Sequence, residues 1–188
     1  YDRAIISNAT VVVDAVGQHA GALRLTNNAT LNITNGWLKI ADSLDVALGC
    51  TNVVRLSGRL EVGTNVVNRG TMRLTGSAAL SVGSSFTNAG LLDIMTWGGA
   101  LPPGFVNLGT VLDRSLIRIA SSQISGTNFQ VLIQGYAGHT YTLQYRDSLV
   151  SGGWQNTGST VDGANAPIIL THSGGASSQQ RFYRVAVE

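Results

Sequence analysis

Ten carboxylates and three histidines are scattered along this 188-residue sequence. General acid–base work needs two groups poised around one bond, and sugar hydrolysis needs two carboxylates at a set separation. No two acids here have a spacing that announces such a pair. His19, His139 and His172 lie far apart, and none stands at metal-ligand spacing from another histidine, a cysteine or a carboxylate. No phosphate-cradling glycine loop, nucleophile elbow or EF-hand loop is present. The sequence therefore predicts no catalytic residue, no cofactor and no metal: a protein that is not an enzyme.

Three tryptophans offer a second kind of chemistry, because an exposed indole is a flat apolar face on which a sugar ring can stack. Trp37, Trp97 and Trp154 serve core or cap packing equally well. Trp97 is the candidate glycan contact, since it opens the glycine-rich stretch Trp97 to Gly104 (WGGALPPG), which interrupts the surrounding pattern and is expected to project as a loop.

Composition narrows the class. A net charge of +2 with only 6% aromatic residues is too modest for nucleic acid as the main partner. With 44% apolar and 12% charged residues the chain has enough to bury and should fold. No apolar run is long enough to span a bilayer, so no membrane insertion is expected. The single cysteine, Cys50, has no intramolecular partner and is expected to act as a small buried apolar residue. The chain starts at Tyr1 without Met, which reads as a mature or excised product whose signal peptide is gone, and secretion is expected from the style of the sequence.

Internal repetition governs the fold reading. Val66-Val-Asn68-Arg-Gly70-Thr-Met72, Phe86-Thr-Asn88-Ala-Gly90-Leu-Leu92 and Phe105-Val-Asn107-Leu-Gly109-Thr-Val111 coincide at offsets of 20 and 19, and Leu60-Glu-Val62-Gly63 reappears as Leu80-Ser-Val82-Gly83. Pairs of apolar residues flanking one outward residue extend backward through Val54/Leu56, Leu38/Ile40, Leu23/Leu25 and Val11/Val13. Their spacing shrinks from 20 to 12, and each coil is read as two short strands. Stacked coils would pack these pairs into one core.

Asn68, Asn88 and Asn107 each precede a glycine by two residues, where a turn is expected and glycine can take positive φ. They either stack as a hydrogen-bonded ladder or serve three separate surface turns. The outward residues between apolar pairs read Arg24, Lys39, Arg55, Arg73 and then Asp93 on one strand, and Asn32, Asp45, Glu61 and Ser81 on the other. A basic column of that kind is either a face for an anionic partner or a solvated polar surface.

After Asp113-Arg114 longer alternating segments begin, at 115–124, 129–134, 140–146, 168–171 and 181–187, which suit an antiparallel sandwich. The expected fold is all-β, a β-solenoid (β-helix) over residues 1–112 followed by a small antiparallel β-sandwich over 113–188. About residues 10–112 resemble the β-helical repeats of bacterial autotransporter passengers and adhesin-like surface proteins. That likeness implies a right-handed parallel β-helix outside the cell. Gly138 to Asp147, Gly153-Trp154 and Arg181 to Val185 resemble the fibronectin-like modules that end large secreted bacterial proteins. The resemblance implies framework roles for Tyr141, Leu143, Tyr145, Trp154 and Phe182 or Tyr183, and a spacer or attachment unit without chemistry of its own.

A solenoid end is an unpaired edge that must be capped or used. Strand-like Ala4 to Asp14, with Ala4, Ile5, Ile6, Val11 and Val13, is expected either to cap its own coils or to complete those of another copy, which would build a filament head to tail. The functional expectation is an extracellular structural surface protein whose partners are copies of itself. The alternative is a carbohydrate-binding or adhesive module of a larger secreted protein, with polysaccharide as its partner.

Overall fold

The computed structural model describes residues 2–48, 53–177 and 180–188, with backbone alone at 53–56. Cys50 and the side chains of Val54, Arg55 and Leu56 lie outside the described residues. The protein is all-β, at 58% strand and 3% helix. Two compact units divide between Arg114 and Ser115.

The first unit is a parallel β-solenoid of about five turns. One sheet stacks β1 (Arg3–Ser7), β4 (Ala22–Thr26), β7 (Leu44–Val46), β10 (Asn65–Asn68), β13 (Ser85–Asn88) and β15 (Phe105–Asn107). A second stacks β2 (Thr10–Val13), β5 (Thr30–Ile33), β8 (Val53–Leu56), β11 (Thr71–Leu74), β14 (Leu91–Asp93) and β16 (Thr110–Leu112). The third holds β3 (Gln18–Ala20), β6 (Trp37–Ile40), β9 (Arg59–Val62) and β12 (Ala79–Val82).

Strands of three to five residues are too short to persist alone, but every strand between the two ends of its sheet pairs on both sides, and alternate side chains turn into the stack. Leu25, Ile33, Ile40, Leu44, Leu60, Val66, Met72, Leu74, Phe86 and Leu92 are fully enclosed, with Leu80, Val82 and Ile94 partly buried against them. Each enclosed aliphatic stabilises by roughly 1.5–3 kcal/mol before chain entropy is subtracted.

Each of the first four coils therefore has three strands, where the sequence predicts two; among the described residues the last two coils, β13–β14 and β15–β16, have two. Ile5, Arg24, Asp45, Val67, Thr87 and Val106 occupy equivalent positions, so successive coils are 19, 21, 22, 20 and 19 residues long. The expected shrinkage from 20 to 12 residues is an artefact of like pairs. Leu23/Leu25, Leu31/Ile33 and Leu38/Ile40 sit on three different sheets of one coil, yet they carry the same apolar-x-apolar signature.

The corner glycines also differ from expectation. Gly90 and Gly109 do not have positive φ; they are required by close approach. A Cβ on Gly90 would stand 2.2 Å from the Gly70 carbonyl oxygen, and one on Gly109 2.2 Å from that of Gly90. Stacked backbones at this corner leave no room for a side chain.

The second unit contains two antiparallel sheets. One orders β17 (Ile119–Ser125), β18 (Asn128–Gly135) and β21 (Ala166–His172); the other orders β20 (Gln155–Asp162), β19 (Thr140–Arg146) and β22 (Phe182–Val187). Side chains of the two sheets meet, with Phe129 stacked on Tyr183 at 4.0 Å between ring centroids. Tyr141, Leu143, Val131, Ile133 and Leu170 are buried. Strand β20 is absent from the sequence reading because QNTGSTVD is polar apart from Val161 and buries no residue.

Candidate functional site

Chemistry-bearing side chains of the solenoid lie in columns, because parallel in-register stacking puts equivalent residues of successive coils side by side. The asparagine column is continuous. Asn68 Nδ2 donates to Asn88 Oδ1 at 2.7 Å and to the Leu91 carbonyl at 3.0 Å, and Asn88 Nδ2 donates to Asn107 Oδ1 at 2.8 Å and to the Thr110 carbonyl at 3.1 Å. Asn68 and Asn88 are fully buried. The ladder stops where Val46 takes the equivalent place beside Asn68, which leaves Asn68 Oδ1 without a hydrogen-bond donor.

The basic column does not exist as predicted. Arg24 is on the first sheet, Arg55 and Arg73 are on the second, and Lys39 is on the third. The acidic column disperses likewise, because the three-strand coil redistributes what a two-strand reading aligns. Arg24, Lys39 and Arg73 instead each face an acid one coil on. Arg24 pairs with Asp45 at 3.3 Å, and Asp45 also takes Arg69 at 2.7 Å. Lys39 is in register with Glu61, which is ion-paired to Arg59. Arg73 holds Asp93 at 2.8 Å, and Asp93 is buried, with its Oδ1 accepting the Met95 backbone N–H. Sequence reasoning misses Asp93 because nothing local marks it as enclosed.

Trp97 is not a projecting glycan platform. It lies in the core, bridges in parallel to Gly76, and its Nε1 donates to the Ala78 carbonyl at 2.7 Å. Gly99 packs directly on the indole, so the glycine-rich stretch closes over the ring. Trp37 is half-exposed, with Arg59 over its ring at 5.1 Å and His19 edge-on at 6.2 Å. It borders an open groove of about 360 Å³ with Asn35, Ser57 and Ser77. In the second unit Trp154 carries Arg146 and Arg184 at 4.7 and 4.5 Å.

Ala4, Ile5, Ile6, Val11 and Val13 belong to the chain's own first coil. β1 and β2 run in parallel register with β4 and β5, so this segment is not a free strand awaiting another molecule. The inward residues Ala4, Ile6, Val11 and Val13, with Ala20 and Leu38, line an open apolar concavity of about 460 Å³.

His172 packs against Tyr145 at 4.5 Å, and its Nδ1 lies 3.1 Å from the Tyr183 hydroxyl. Burial, and secondarily the Arg181 guanidinium, hold this imidazole below its ordinary range against the opposing pull of Asp147. Burial raises the Tyr183 phenol, and the hydrogen bond to Asp147 raises Arg181 further. These groups pack the junction between the two sheets. Among the described residues no cluster of three or more His, Cys, Asp or Glu is arranged to hold a metal ion, and no helix is long and apolar enough to cross a membrane.

No protein-family model, curated protein or solved structure matches the chain.

Proposed function

We propose that this chain is an extracellular structural surface protein, not an enzyme, and a filament subunit assembled head to tail by β-strand addition. Its carrying observation is where the polar chemistry goes. The asparagine ladder and the Arg24, Arg59, Arg69 and Arg73 ion pairs hold side chains of the solenoid to one another instead of converging on a cleft.

Right-handed coils are the sense expected of parallel strands joined by a crossover in an L-polypeptide. The likeness to autotransporter passengers is supported by the parallel stack of about five turns. A fibronectin-like sandwich for the second unit is supported by the Tyr141 hydroxyl, which accepts the Tyr136 backbone N–H at 2.9 Å, a tyrosine-to-upstream-backbone bond frequent in such sandwiches. That unit would act as spacer or attachment module. Secretion is part of the same reading.

Negative-stain electron microscopy of the full chain at rising concentration tests the reading. Fibres support it; isolated particles at every concentration refute it.

Trp37 favours one other reading, a polysaccharide-binding module, because a half-exposed indole beside an open groove with Asn35, Ser57 and Ser77 in its lining suits a sugar ring. Affinity electrophoresis in polysaccharide gels, with retardation lost in Trp37→Ala, would establish it.

A further inference from the structure

Outward residues of the two six-stranded sheets change character toward both ends. In the first sheet they run Ile5, Arg24, Asp45, Val67, Thr87, Val106. In the second they run Val12, Asn32, Arg73, Asp93, Leu112, with Arg55 in register between Asn32 and Arg73 and its side chain outside the described residues. Interior positions are charged or polar apart from Val67, while all four end positions are aliphatic. Ile5, Val12 and Val106 are 62%, 55% and 47% exposed.

An edge strand left in water is ordinarily defended by charge, and lysine above all. Here β1 and β2, which end their sheets among the described residues, carry aliphatic residues on both faces: Ala4, Ile6, Val11 and Val13 inward, Ile5 and Val12 outward. Aliphatic side chains in register on neighbouring strands pack against one another, so an end strand that is aliphatic on both faces is completed by an aliphatic neighbour at its open edge.

We infer that the first coil receives the last coil of a second copy, head to tail, with β1 beside β15 and β2 beside β16 of that copy. The inference rests on the filament reading above and specifies its joint. Each outward column then continues aliphatic to aliphatic, Ile5 next to Val106 and Val12 next to Leu112, the pairing that stabilises neighbouring strands. Inside, Val11 follows Val111, and Ile6 follows Asn107 as Val46 precedes Asn68, so an aliphatic residue closes the ladder at each end. The joint lengthens two sheets by one chain and covers the apolar concavity. Such contact is heterologous and repeats without closing on itself unless the rotation forms a ring.

Sedimentation velocity of the full chain tests the joint with Ile5→Lys, Val106→Asp and their equimolar mixture. Both sites are exposed, and circular dichroism checks that the variants fold; Ile5→Ser and Val106→Ser replace any that do not. The native chain should associate with concentration, each variant about tenfold more weakly or worse, and the mixture should recover, because Lys then meets Asp while Ile5 still meets Val106. Native-like association of Val106→Asp alone would mean that first coils meet each other, and would overturn the register. Fibres from the native chain and from both variants would discard this joint and leave the filament reading standing. A native chain monomeric at every concentration, as when further coils of a longer protein cover the first, would defeat both.

Discussion

Asn88 sits between two asparagines and donates to one while accepting from the other. Asn88→Ala leaves the Asn68 amide and the Asn107 carbonyl oxygen without their ladder partner, at a cost of about 1–3 kcal/mol in a denaturant midpoint series. Asn107→Ala should cost less, because Asn107 is exposed at the ladder's end. Asp93 presents the sharper case. Its carboxylate is buried while Arg73 is partly exposed, so Arg73→Met removes the guanidinium from an enclosed charge and should cost about 3 kcal/mol, more than Asp93→Asn in the same assay. In the second unit, His172 titrates below the ordinary 6.5 when folded, chiefly through burial. The unfolded chain therefore takes up the proton first as pH falls, so stability is full above about 6.5 and declines below it until the folded imidazole also protonates. Unfolding followed by the amide signals of β21 should show this slope, and His172→Gln should flatten it. The ladder was legible because its members recur at 20 and 19 residues. The ion pairs were not, since pairing Arg24 with Asp45 or Arg73 with Asp93 requires knowing which strand lies above which.

At the scale of elements, the alternation of apolar residues identified strands and inward faces, but not how many strands make a coil. Every side of the solenoid needs the same short signature, so Leu23/Leu25 and Leu38/Ile40 look like successive coils when they are two sides of one. The corners hold the missing information. Gly90 is glycine because the Gly70 carbonyl leaves no space for a Cβ, and Gly126 is glycine for a different reason, a φ of +61° in open surroundings. Gly90→Ala and Gly90→Asn should therefore lose stability alike, by roughly 1–3 kcal/mol. At Gly126 asparagine should be tolerated better than alanine, since asparagine enters the left-handed region more readily. By thermal melt, a clear advantage of Gly90→Asn over Gly90→Ala would contradict the close-approach explanation at Gly90, and equal behaviour of the two substitutions at Gly126 would contradict the left-handed one there. The glycine-rich stretch after Trp97 misled for a related reason: glycines that suggest a projecting loop instead let the chain fold tightly over an indole.

For the whole molecule, the all-β character, the solenoid and the later antiparallel strands could be read from periodicity. The polar strand β20 could not, because its alternation lacks an apolar face. The role of residues 2–14 was half-legible. They are strand-forming and apolar, as expected, yet they complete the chain's own first coil and leave its outer edge as the surface on which assembly would act. The proposed filament requires coils to continue from one copy into the next, so strand spacing must run along the fibre. Fibre diffraction from oriented assemblies of the full chain measures this directly. A meridional reflection near about 4.8 Å is the result expected of coils stacked along the axis; its appearance on the equator, or a chain that yields no orientable fibre, would contradict the account.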